Sequence, residues 1–176
     1  MEIYLSYKGN ISTTGHTKQK FKIRRHLLPQ LRQLLTYHEE NDIPKEHTFS
    51  IEKRRYVGDF IFLPLVSINC CKVVDLEIVL LSHFEPACTK HYPTGDIDNL
   101  LKSLLDGMRM PQNMNEVRSE KPQQNEDPFL CILEDDQLVR NIHIRHDRLL
   151  FANTEGKKDP KEIFVLVKAI ILPKFG

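Results

Sequence analysis

No stretch of this chain holds about 18 or more consecutive apolar residues, so a membrane-spanning helix is not expected. Met1-Glu2-Ile3-Tyr4-Leu5 lacks the basic and apolar regions of a signal peptide, and the expectation is a cytoplasmic protein with no membrane partner. Cysteine is sparse: Cys70, Cys71, Cys88 and Cys131 are the only four. None stands in a C-x-x-C spacing or a paired zinc-knuckle pattern, which argues against a zinc site. They read as buried, reduced thiols. A glycine-rich phosphate loop, a G-x-S-x-G elbow and a Cys–His pattern are all missing, so those routes to nucleotide binding and nucleophilic catalysis have no motif here. A large excess of either sign of charge is missing too: the net is +1.

What is present is ordinary bulk with unevenly placed charge. The 176 residues, 40% hydrophobic and 28% charged, fit one domain spanning 1–176 with a sizeable core. Residues 1–55 hold eleven Lys/Arg and six Asp/Glu, a net of +5, which leaves −4 for residues 56–176. A basic part beside an acidic one suits a protein that binds a polyanion while holding a metal. The candidates for phosphate contact are Lys18, Lys20, Lys22, Arg24, Arg25, Lys53, Arg54 and Arg55. A solvated basic helix face accounts for the same residues equally well.

Periodicity organises the chain. Residues 2–8 alternate and predict a strand, and 9–16 a loop. Between Thr17 and Tyr37, the spacing of Leu27, Leu28, Leu31, Leu34 and Leu35 predicts a helix with one apolar face. Pro29 leaves two readings: the first turn of a helix starting near Leu28, or a kink in a longer one. Residues 38–50 read as loop. Residues 56–68 and 72–84 predict strands, antiparallel to each other across a turn near Asn69, with Pro64 marking an edge or a bulge. A helix is expected over 98–106, then a long polar loop over 107–129, mobile or functional. Residues 130–133, 138–146 and 162–172 complete the strands. The expected class is α+β: a mostly antiparallel sheet of about four to six strands with two main helices.

The chemistry concentrates in two acidic segments, GDIDNLLKSLLDG at 95–107 and EDDQLV at 134–139. Crowded carboxylates repel one another and invite a hard cation such as Mg²⁺ or Mn²⁺. Asp98 is the expected N-cap of the 98–106 helix and Gly107 its C-cap. Leu100, Leu101, Leu104 and Leu105 form the buried stripe. Asp98, Lys102 and Asp106 recur every fourth residue on the opposite flank. Asp96 precedes Asp98 by two residues of extended chain, so their carboxylates share a side. Asp106 lies two turns, about 12 Å, from Asp98 and is read as structural. Of the second segment, alternation lets one of Asp135 and Asp136 face the first, and Asp136 is preferred to Glu134. Each segment alone also reads as a simple cap or turn.

Asp96-Ile97-Asp98-Asn99-Leu100-Leu101-Lys102-Ser103-Leu104-Leu105-Asp106, followed by Leu133-Glu134-Asp135-Asp136-Gln137-Leu138-Val139, resembles the signature of RusA-type Holliday junction resolvases. That family carries D-x-D-N-x-x-K-x-x-x-D, then an apolar strand ending in D-D-x-Q-[VIL]. The resemblance implies that Asp96, Asp98 and Asp136 are metal-binding catalytic aspartates, that Lys102 is an essential lysine, and that Asp135 stands beside the third carboxylate at the metal. It also implies a mixed α/β fold, a homodimer, Mg²⁺ dependence with Mn²⁺ as a substitute, and symmetric cutting of branched DNA. The loop between the two segments is longer than in small members of the family, and only Lys90-His91 supplies a basic run before the first aspartate. The alternative expectation is a DNA-binding accessory protein of the same fold without turnover.

Overall fold

The computed structural model describes residues 1–11, 17–41, 54–82, 97–149 and 162–174. In chain order the main elements are β1 (Glu2–Asn10), α1 (Thr17–Glu40), β2 (Arg55–Val57), β3 (Phe60–Val66), β4 (Lys72–Ser82), α2 (Ile97–Met108), β5 (Phe129–Leu133), β6 (Val139–Arg148) and β7 (Glu162–Pro173). The class is α+β, as expected, with the strands divided between two mixed sheets. The larger has the order β1-β7-β4-β6, the smaller β2-β3-β5. No helix among the described residues is long and apolar enough to cross a membrane.

β7 is the last strand in sequence but an inner strand in space. It runs antiparallel to both β1 and β4. Its alternate residues Ile163, Val165, Val167, Ala169 and Ile171 are buried, as are Val74, Leu76, Ile78 and Leu80 of β4. Each strand therefore has one wet face and one dry face, as its period-2 pattern requires. β3 differs: all but one of its seven residues are buried. The expected β3–β4 antiparallel pairing does not occur. β3 instead pairs antiparallel with β2 and parallel with β5, while β4 takes β7 and β6. A 3-10 turn at Ile68–Cys70, closed by Cys71 at φ 49°, carries the chain from one sheet to the other. Pro64 lies beyond Phe62, where the described β2 pairing ends, so among the described residues the strand has a partner there on one side only, which tolerates a residue without N–H.

α1 is one continuous helix with Pro29 inside it, which selects the longer of the two readings. Its buried stripe of Phe21, Ile23, Leu27, Leu28 and Leu31 packs on α2, β5 and β1. The rings of Phe21, Phe60, Phe62 and Phe129 pack together between α1 and the smaller sheet, with centroid spacings of 5.1–6.2 Å. Gln30 of α1 closes part of the open edge of β1: its amide accepts from Ser6 N at 2.9 Å and donates to Ser6 O at 2.8 Å. A bare edge would invite strand addition.

Two expectations about α2 are corrected. Asp98 lies inside its first turn rather than at the N-cap, because the helix begins one residue earlier, at Ile97. Gly107 is inside the helix, not beyond its end. It is buried against α1, where a Cβ would meet Ile23 Cγ2 at 2.6 Å and Ile23 Cβ at 2.7 Å. The glycine is there for helix approach, not for a left-handed cap. The cysteines also divide. Cys131 is buried, Cys70 is half-buried and Cys71 is exposed, because the last sits on the turn between the sheets; Cys88 lies outside the described residues.

The 107–129 segment is not a free loop. Its first two residues finish α2, and Met114–Glu116 form a 3-10 turn. Arg25 of α1 holds Glu120 at 2.6 Å and Glu126 at 2.7 Å. Arg32 donates to the carbonyls of Asn125 and Pro128. Gln112 donates to Glu134 O, and Val117 is buried. The polar composition suggested mobility because these tethers come from distant parts of the chain.

Gly→Ala in a helix interior ordinarily stabilises by about 1 kcal/mol. Gly107→Ala is expected to destabilise by about 1–3 kcal/mol, because the clash reaches Ile23 Cβ and no rotamer relieves it. A lower urea midpoint at unchanged slope would show this; an unchanged or higher midpoint would refute the tight crossing.

Candidate functional site

α2 holds the first acidic segment with its polar flank outward. Asp98, Asn99 and Lys102 are exposed, while Leu100 and Leu104 are buried. An acid in the first turn is favoured by the helix dipole. Asp96 lies outside the described residues.

The far end of the same helix carries a buried ion network that spacing alone understated. Asp106 is 8% exposed. Its carboxylate meets Lys20 Nζ at 2.8 Å and Arg109 Nη2 at 2.7 Å. Arg109 also reaches Glu116 at 3.1 Å. Burial raises the Asp106 carboxyl, but Lys20 and Arg109 outweigh it and hold the group below its ordinary value. The structural role expected for Asp106 is what the geometry gives it. Below this network Arg24 is 2% exposed and donates to Arg109 O at 2.9 Å and Asp106 O at 2.6 Å.

β5 delivers the second acidic segment to the same end of α2. Arg109 and Leu133 form a parallel bridge, and Met110 N donates to Leu133 O at 2.9 Å. The three acids that follow have different surroundings. Glu134 is committed to the fold: Arg55 Nε lies 3.0 Å from its Oε1, and Ile68 N donates to its Oε2 at 2.9 Å. Asp135 caps the short 3-10 turn Asp136–Leu138 by accepting from Gln137 N at 2.9 Å. Asp136 is exposed. Its carboxyl is raised above its ordinary value, first by partial loss of water, then by the hydrogen bond and like charge of Asp135. Arg109 opposes the rise and Asp106 adds to it.

Strict alternation would have turned Asp135 and Asp136 to opposite faces. The chain leaves the strand and tightens into the 3-10 turn, so the two carboxylates interact instead. Among the described residues, no three His, Cys, Asp or Glu side chains group as a metal site, so Asp98 does not complete one with this pair. The pair has the chemistry for a hard cation: two oxygen donors, crowded and under-compensated.

The basic candidates divide by what they already hold. Lys20, Arg24, Arg25 and Arg55 are committed internally, to Asp106, to two carbonyls, to Glu120 with Glu126, and to Glu134. These bonds give each of the four a place in the fold. Lys18 and Lys22 are exposed on α1, and Arg54 is half-exposed at the start of β2. Lys53 lies outside the described residues. The sequence reading missed Arg109; its position three residues after Asp106, a helical ion-pair spacing, was the available signal.

In comparisons with known proteins, no family model, no curated protein and no solved structure matches the chain.

Asp106→Asn is expected to cost about 3 kcal/mol at pH 7, because it strands buried cations. The depressed carboxyl stabilises the fold above its unfolded value of 3.8 and loses that contribution as pH falls through its folded value. The urea midpoints of wild type and variant should therefore converge below about pH 4; a constant gap would sink the ion-pair account. Asp136 has the opposite sign. A raised carboxyl disfavours the fold once ionised, so Asp136→Asn should raise the thermal midpoint at pH 7 by about 1–2 °C and leave it unchanged at pH 3. A lower midpoint at pH 7 would contradict the repulsion.

Proposed function

We propose that this protein is a Mg²⁺-dependent endonuclease, active also with Mn²⁺, that cuts branched DNA by paired symmetric nicks at four-way junctions. One observation carries the reading: the helix bearing Asp98 and Lys102 and the strand ending at Asp135 and Asp136 are joined directly through Arg109, Met110 and Leu133. The two segments of the resolvase-like motif thus lie on adjoining elements, which meet at the C-terminal end of α2, while Asp98 stands in its first turn.

Asp96, Asp98 and Asp136, with Asp135 beside them, are the residues to hold the cation. The bound ion would neutralise charge on the scissile phosphate and lower the pKa of an attacking water. Lys102, exposed one turn after Asp98, contributes a positive charge where charge builds up on the phosphoryl oxygens. Arg109 is bound to Asp106 and Glu116, so it steadies the strand end instead of touching the substrate. Lys18, Lys22 and Arg54 remain for phosphates away from the cut. A two-fold homodimer would face two symmetry-related strands with two such sites. The cytoplasm is the proposed compartment, where Cys70, Cys71 and Cys131 stay reduced.

Purified protein should nick four-way junction DNA pairwise in Mg²⁺. Asp98→Asn and Asp136→Asn should abolish cutting while retaining junction binding, and Lys102→Ala should slow cutting by about 10²–10³-fold. Wild-type protein that leaves junction, flap and duplex DNA intact in both Mg²⁺ and Mn²⁺ would overturn the proposal. Junction binding without any cutting would point to the accessory role.

A further inference from the structure

Three tyrosines are strongly exposed, Tyr4, Tyr37 and Tyr56. Two of them have partners. Tyr4 donates to Glu2 and lies under Lys168, and the ring of Tyr37 meets that of His38. Tyr56 is 71% exposed and has neither a ring contact nor a hydrogen bond among the described residues.

The surroundings indicate the chemistry of that ligand. β2 alternates, so Arg54 and Tyr56 share one face about 7 Å apart, while Arg55 and Val57 point the other way, toward Glu134 and the core. Arg54 has no carboxylate partner among the described residues, and its Nε is buried without an acceptor. The turn that follows, Gly58-Asp59, adopts φ 60° at Gly58. A Cβ placed on Gly58 would lie 3.6 Å from Met114 Sδ, so the thioether of the 107–129 segment borders the same hairpin. Met114 is 63% exposed. A ring, a thioether and a half-exposed guanidinium suit a nucleobase followed by its phosphate. Asp59 is exposed at the tip of the hairpin.

The hairpin is also tied to the candidate site. Arg55 bonds Glu134, the residue just before Asp135 and Asp136. Tyr56 is opposite Ile61, five residues along β3 from Val66, whose carbonyl receives Glu134 N. That is about 17 Å, or about five base steps of duplex.

We infer that Tyr56, with Arg54 beside it and Met114 at its border, is a stacking platform for an unpaired base of the DNA strand, a contact that rests on the nuclease reading above. Such a platform would favour junctions and other branched DNA, whose bases unstack at the branch, over continuous duplex.

The test is binding in EDTA, where no cutting occurs, to a single-stranded oligonucleotide and a four-way junction, each carrying 2-aminopurine. Wild-type protein should change the probe's fluorescence. Tyr56→Ala should weaken binding of both by roughly tenfold while leaving duplex binding and the urea midpoint unchanged, and Tyr56→Trp should restore it. Arg54→Ala should weaken every DNA and reduce the salt slope by about one. Junction binding and cutting left unchanged by Tyr56→Ala would overturn the platform and leave the nuclease reading standing. Rescue by Tyr56→Leu as complete as by Trp would also overturn it, since an aliphatic contact suits a protein partner. No DNA binding at low salt would overturn both.

Discussion

Arg24 carries a full charge into the interior, and the crossing of the two helices is built around it. Its guanidinium donates to the carbonyls of Asp106 and Arg109, at the C-terminal end of α2, and lies 5.0 Å from the Phe21 ring. Burial pulls it down to about 10, which leaves it charged at neutral pH. A cation at a helix C-terminus meets the negative end of the dipole, and the aromatic face adds to the attraction. Removing the guanidinium would leave two buried carbonyls without donors, at about 1–3 kcal/mol each. Gly107, one residue after the first of those carbonyls, lets Ile23 come close enough for Arg24 to reach them.

The acidic chemistry is organised around this anchor. With α2 fixed at its C-terminal end, Arg109 is placed between Asp106 and Glu116, and its backbone beside Leu133. β5 is thereby held so that Asp135 and Asp136 emerge next to a compensated network without being compensated themselves. Carboxylates with different duties stand within a few residues of each other. Asp106, Glu116 and Glu134 each have a cationic partner, whereas Asp136 has chiefly its like-charged neighbour. Partial loss of water and then the like charge beside it raise the Asp136 carboxyl, as happens where two carboxylates share a site.

The same sorting applies to the positive residues. The basic N-terminal part looked like one polyanion-binding region, yet much of its charge works inside the molecule. Arg25 and Arg32 hold the 107–129 segment down, and Lys20 closes on Asp106. Lys18 and Lys22 are exposed on α1, and Arg54 is half-exposed at the start of β2. Composition counts charges; it does not say which of them face each other across the fold.

Local pattern was enough to place most of the elements, although residues 56–68, expected as one strand, fold as β2, a turn and β3. The leucine spacing marked α1 and α2, alternation marked β1, β-branched and aromatic content marked β4, and the two acidic segments stood out without any structure. Those signals lie within ten or so residues of one another, which is the range over which helix and strand periods act. Tertiary structure alone decided which strands are neighbours, that Gly107 is a contact and not a cap, that Asp135 and Asp136 interact, and that Arg109 sits beside them. Each of these depends on residues tens of positions apart, such as Ile23 with Gly107 or Lys20 with Asp106. The physical reason is that burial and ion pairing act through space, where a chain's own period carries no information.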